Sequence, residues 1–108
     1  MNVKNNKRRR ESVEKIEKSF INMLQNKEIN QISVTDICND TGLNRSTFYA
    51  NYVDIYDLAD KIGKSLERDF SETFRTLSEQ NSLKVFRHIY ENQQLYKTYI
   101  RLGFHERQ

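Results

Sequence analysis

Apolar residues recur at three- and four-residue steps in several segments of this chain, the spacing of one face of a helix. The first such segment carries Val13, Ile16, Phe20, Met23 and Leu24 on one side and Glu11, Glu14, Lys15, Glu17 and Lys18 on the other, which predicts a scaffold helix over residues 9–26. Ile29 and Ile32, in the short polar connection that follows, are expected to seal the bottom of a core. A long helix is predicted over residues 55–77, where Leu58, Ile62, Leu66, Phe70, Phe74 and Leu77 stand at near four-residue steps. Gly63 inside it costs up to about 1 kcal/mol relative to alanine, which reads either as a close helix approach or as simple tolerance. Residues 79–82 then read as a loop with Ser82 as N-cap, followed by helices over 83–91 and 94–101. Their shared face holds Phe86, Ile89, Tyr90, Leu95, Tyr96, Tyr99 and Ile100.

Between the first helix and the long one, three caps mark three helix starts. Ser33 with Asp36 has the spacing of a capping box, which opens a short helix near Val34. Gly42 can take a left-handed backbone and stop that helix within one residue. Asn44 is a good N-cap for a second short helix over 45–52, and Asp54 with Asp57 does the same for the long helix. Val34, Ile37, Cys38, Leu43 and Phe48 form the inward set, leaving Thr35, Arg45, Ser46, Thr47, Tyr49 and Asn51 outward. Two short helices joined by a turn of about 3–4 residues are the plan of a helix-turn-helix, whose second helix enters a DNA major groove. The plainer reading is a pair of amphipathic helices in an ordinary bundle, and on pattern alone both stand.

At 108 residues the chain is one compact domain or slightly more, near the size where helix packing must be efficient. No apolar run approaches the ~20 residues of a membrane span, and the N-terminus is basic and polar, so a cytoplasmic, non-membrane protein is expected. Cys38 is the only cysteine and lies on the apolar side of its helix, where a core role is expected and a disulfide framework is excluded. The net charge is +3, and its placement is uneven. Residues 1–53 carry nine Lys/Arg against six Asp/Glu, whereas residues 54–108 carry nine of each. Lys4, Lys7, Arg8, Arg9 and Arg10 cluster ahead of the first helix. Alone, such a run reads as a solvated tail; before a helix-turn-helix it reads as a flexible cationic arm that follows a phosphate backbone or enters a minor groove.

The run Thr-Asp-Ile-Cys-Asn-Asp-Thr-Gly-Leu-Asn-Arg-Ser-Thr-Phe-Tyr-Ala-Asn-Tyr, residues 35–52, resembles the signature of the TetR/AcrR family of bacterial transcriptional regulators. That pattern runs Ile-Ala-x-x-Ala-Gly-Val-Ser-x-Gly-Thr-Phe-Tyr-x-His/Tyr-Phe, and Ile37, Gly42, Thr47, Phe48, Tyr49, Tyr52 and Leu58 fall on matching positions. Cys38 and Thr41 replace alanines, Leu43 a valine, Asn44 a serine and Ser46 a glycine. Ile55 stands where the family often has a lysine that touches a DNA phosphate, so that contact is not carried over.

The resemblance implies an all-α protein with a homeodomain-like three-helix helix-turn-helix unit over 1–53, its basic arm over 1–10, and a linking helix with a short helical dimerisation part over 54–108. It implies a regulator that represses by occupying a palindromic operator as a homodimer. By the same matching, Arg45, Ser46, Thr47 and Asn51 are candidates for base edges. Ser33, Thr35, Tyr49, Tyr52 and the arm residues Lys7, Arg8, Arg9 and Arg10 are candidates for phosphates. Arg45, at the exposed first turn of the reader, has the chemistry for a bidentate contact to guanine.

Relatives of this kind bind a small-molecule effector in a second helical domain. Here only about 50 residues follow the reader, and the late helices that form the family's dimer interface are missing. For Phe70, Phe74, Phe86, Tyr90, Tyr96 and Tyr99, packing in a core or interface is the plainer expectation and a ligand pocket the alternative. The apolar positions along 66–77 and 86–100 exceed what short helices bury among themselves, which predicts a homodimer through this part. No cofactor or metal is expected: His88 and His105 have no metal-ligand spacing with each other or with Cys38, and no phosphate loop or nucleophile motif suggests an enzyme. The competing function is a helical interaction module, or a remnant regulator that pairs with a full-length relative.

Overall fold

The computed structural model describes the backbone of residues 3–106 and the side chains of residues 6–103. It is all-α: the described residues form six α-helices, with no strand. These are α1 (Val3–Leu24), α2 (Val34–Thr41), α3 (Arg45–Asn51), α4 (Ile55–Gln80), α5 (Ser82–Glu91) and α6 (Gln93–Glu106), with a 3-10 turn at Ile29–Gln31. No described helix is long and apolar enough to cross a membrane. The chain divides into two compact units, Met1–Leu58 and Ala59–Gln108, the division falling inside α4.

The first unit is built around Ile16, Phe20 and Leu24 of α1, which are buried together with Ile29, Ile32, Val34, Ile37, Phe48, Tyr52, Ile55 and Leu58. Burial of each large apolar side chain contributes roughly 1.5–3 kcal/mol. Cys38 and Leu43, expected inside, are half-buried. One polar link joins α1 to the end of α2: the buried Ser19 hydroxyl donates to Asp40 Oδ2 at 2.6 Å. Both expected caps of the short helices form. Ser33 and Asp36 make the reciprocal capping box, each backbone N–H donating to the other's side chain at 3.0 Å. Gly42 ends α2 at φ 78°, the left-handed conformation that a Cβ would strain, and its N–H donates to the Cys38 carbonyl at 2.9 Å. Asp54 accepts from the Asp57 N–H at 2.8 Å, while the Asp57 carboxylate reaches back to the Val53 N–H at 2.9 Å.

Two expectations at helix starts are corrected. Helix α1 begins at Val3, so the basic cluster is mounted on a helix and is no flexible arm. Lys, Arg, Asn and Glu run on here without a glycine or proline, and Lys7 and Arg10 each have an opposite charge four residues on, so nothing local stops the helix at residue 9. At the other junction there is no loop over 79–82. Helix α4 continues to Gln80, and Asn81, one residue before the expected Ser82, caps α5 by accepting the Leu83 N–H at 2.9 Å.

The second unit packs α6 against α4 and α5. Gly63 on α4 lies beneath Leu102 of α6, and a Cβ built on it would stand 3.9 Å from that side chain, an ordinary van der Waals contact. Phe70 and Tyr96 stack at 3.9 Å, Phe74 stacks on Tyr96 at 5.7 Å, and Tyr99 meets Phe70 edge-on at 5.8 Å. His88 presents its ring edge-on to Phe70, Phe74 and Tyr96. Within this cluster the Tyr96 hydroxyl and His88 Nε2 are buried with no hydrogen-bond partner. Burial pushes the Tyr96 phenol above its ordinary range.

Candidate nucleic-acid interface

The outward residues of α2 and α3 form two small hydrogen-bonded groups. In the first, Arg45 at the start of α3 donates through Nη1 to Thr35 Oγ1 of α2 at 2.8 Å and through Nη2 to the Tyr49 hydroxyl at 3.4 Å. Its guanidinium also lies over the Tyr49 ring, 5.8 Å from the centroid. All three residues are exposed, so this brace holds a cation upright at the surface. In the second, Asn44 Oδ1 accepts three bonds: from the Thr47 N–H at 2.9 Å, the Thr47 hydroxyl at 2.9 Å and the Ser46 hydroxyl at 2.7 Å. The cap thereby orients both hydroxyls on the first turn of α3.

Alongside α3 runs the N-terminal part of α1. Arg8, Arg9 and Ser12 of α1 and Ser46, Thr47, Ala50 and Asn51 of α3 line a groove of about 450 Å³. Across it, Arg9 Nε donates to Asn51 Oδ1 at 3.0 Å, and Asn51 Nδ2 in turn donates to the Thr47 carbonyl at 2.9 Å. Lys7 and Arg10 are exposed on the same helix. The side chain of Lys4 lies outside the described residues.

Of the residues singled out in the sequence, Thr35, Arg45 and Tyr49 are brought together in one brace, and Arg8, Arg9, Ser46, Thr47 and Asn51 meet at one groove. Ser33 is exposed but its hydroxyl serves as the cap of α2. Its N–H bond holds the Asp36 carboxyl below the usual carboxylate range. Tyr52 is corrected: it is 6% exposed and packs its ring on Phe48 at 5.5 Å, which makes it a core residue instead of a surface contact. Burial, with the nearby carboxylates of Glu17 and Asp57, pushes its phenol up to about 12. Ile55 is also buried.

In the second unit, the aromatic residues proposed for a pocket or interface separate into two sets. Phe70, Phe74, Tyr96 and Tyr99 pack on one another. Phe86 and Tyr90 do not join them: each is 68% exposed, and with Leu83 at 71% they form a three- and four-residue stripe along α5. Sequence reasoning missed Ser12 as a groove residue and missed the bond between Arg9 and Asn51. The only signal was that α1 and α3 each present polar residues away from the core, which does not fix their mutual register. No family model, curated protein or solved structure matches this chain.

Proposed function

We propose that the chain is a sequence-specific DNA-binding transcriptional regulator of the TetR/AcrR kind, acting as a repressor, in which α2, the Gly42 turn and α3 form a homeodomain-like helix-turn-helix. The observation that carries this reading is the braced Arg45 on the exposed first turn of α3, with the cationic N-terminal part of α1 beside the same helix. A guanidinium held upright by Thr35 and Tyr49 loses little rotamer freedom on meeting the two acceptors of a guanine edge. Cations mounted on α1 supply the sequence-independent attraction to phosphate.

One reader covers a half-site, and operator binding by such units relies on two-fold symmetry. Since Leu66 and Phe70 turn inward, the exposed stripe Leu83, Phe86 and Tyr90 is the surface for a second copy. The same stripe favours the second reading, a module that pairs with a longer relative.

Selection of bound duplexes from a random pool tests the proposal. The wild-type chain is expected to enrich a two-fold symmetric sequence. Arg45→Ala is expected to lose about 1–3 kcal/mol of binding and to relax preference at one position of each half-site. A wild-type chain that shows no salt-dependent binding to any duplex would refute the DNA reading and leave the pairing module.

A further inference from the structure

We propose that the groove between α1 and α3 seats one phosphodiester of the DNA backbone, and that Asn51 is the positioning residue that aims Arg9 at it instead of a reader of bases. This rests on the DNA-binding reading and gives it a specific backbone contact. Asn51 stands on the outward side of α3 and has the side chain that pairs with both polar atoms of an adenine edge. Such a contact needs the amide plane turned out from the helix toward the base, whereas the bonds made here hold that plane against α1 and back along α3. Here the acceptor takes the Arg9 Nε–H at 3.0 Å and the donor is directed to the Thr47 carbonyl at 2.9 Å. The two bonds also determine which end of the amide is oxygen, since a carbonyl can only accept and a guanidinium can only donate.

The consequence falls on Arg9. With Nε directed to Asn51, the guanidinium plane is set and its two terminal nitrogens form a fork with four N–H groups, the shape that meets two phosphate oxygens. The lining is suited to an anion: Arg8 and Arg9 are cationic, Ser12, Ser46 and Thr47 carry hydroxyls, and no lining residue is a carboxylate. The volume of about 450 Å³ leaves room for a phosphodiester with its flanking sugar. Because Arg9 comes from α1 and Asn51 from the last position of α3, a phosphate held there ties the scaffold helix to the reader and sets how deep α3 sits in the groove. A guanidinium oriented before binding loses less freedom on contact than one on a flexible arm.

The test is duplex binding by fluorescence anisotropy from about 50 to about 200 mM salt, for wild type, Arg9→Ala, Arg9→Lys, Asn51→Ala and the Arg9→Ala/Asn51→Ala double variant, with helicity checked by circular dichroism. Arg9→Ala is expected to weaken binding to all sequences alike and to reduce the log–log salt slope by about 0.9. Asn51→Ala is expected to weaken binding by a smaller factor, with base preference unchanged at every position. The double variant should bind no more weakly than Arg9→Ala. Arg9→Lys should keep the slope, and, because lysine lacks the Nε–H, a further Arg9→Lys/Asn51→Ala variant should bind as Arg9→Lys does. A changed preference at one base pair in Asn51→Ala, or effects of the two residues that simply multiply, overturns the positioning role. Wild-type binding with a slope that Arg9→Ala leaves unchanged overturns the phosphate seat alone, whereas a wild-type chain that binds no duplex overturns the DNA reading and the seat together.

Discussion

Replacing Asn44 by alanine removes one oxygen on which the start of α3 depends. That oxygen accepts the Thr47 N–H and the hydroxyls of Ser46 and Thr47 at 2.7–2.9 Å. Loss of an N-cap side chain costs about 1 kcal/mol, and up to about 2 kcal/mol where no other acceptor replaces it. The two hydroxyls are at or near the surface and turn to water, so their bonds add little to the loss. The backbone at Asn44, φ −89° and ψ 167°, is extended and suits alanine without strain. The expected cost is therefore about 1–1.5 kcal/mol, all of it from the cap. It matters more here than in a long helix. Helix α3 has seven residues, too few to be stable alone, and Phe48 is its one buried side chain. Urea unfolding followed by circular dichroism should show a lower midpoint with an unchanged slope. Hydrogen exchange at the Thr47 amide, which donates to the Asn44 side chain, and at the Phe48 amide beside it should accelerate roughly tenfold, the factor that about 1.4 kcal/mol represents. Asn44→Ser keeps an acceptor and should lie within a few tenths of a kcal/mol of wild type. A loss under about 0.3 kcal/mol in Asn44→Ala, or a serine variant as damaged as the alanine one, would refute the cap as the source of order in α3.

Gly63→Ala should raise stability by up to about 1 kcal/mol in thermal unfolding, because the added Cβ meets Leu102 at 3.9 Å without a clash and the helix gains propensity; a loss would mean that α4 and α6 approach more closely than this. Tyr96→Phe removes a buried hydroxyl with no partner and should be neutral or stabilising by about 1 kcal/mol, whereas a loss of that size would reveal a partner for the hydroxyl. The phenol of Tyr52 is raised from 10.0 to about 12, so the folded state keeps its proton where the unfolded chain gives it up: the contribution is complete below pH 10 and lost between 10 and about 12. A rise of that size corresponds to roughly 2.7 kcal/mol, which solvent screening of this partly enclosed group reduces to about 1–1.5 kcal/mol. Alkaline unfolding of wild type against Tyr52→Phe should lose that extra dependence in the variant, and identical pH profiles would contradict it.

What the amino-acid sequence determined by itself is local. The capping box of Ser33 and Asp36, the left-handed Gly42 and the Asn44 cap are each set by residues within four positions of one another, so their chemistry needs no knowledge of the rest of the fold. The apolar spacing that buries Ile16, Phe20, Leu58, Ile62, Leu66 and Phe70 is local in the same sense, since helix geometry alone puts those residues on one face. Even the helix starts that differ do so for local reasons: Asn81 and Ser82 are adjacent caps of similar strength, and the basic run before residue 9 lacks any breaker. The tertiary structure decided what depends on the register between helices far apart in the chain. Arg9 and Asn51 are 42 residues apart, and Ser19 and Asp40 are 21 apart; the rotation of α1 against α2 and α3 that joins each pair is set by the fit of side chains in the whole core. The same holds for the aromatic residues of the second unit. Phe70, Tyr96 and Tyr99 meet while Phe86 and Tyr90 stay outside: helical spacing puts Phe86, Ile89 and Tyr90 on one apolar arc of α5, and which edge of that arc turns inward is decided by packing.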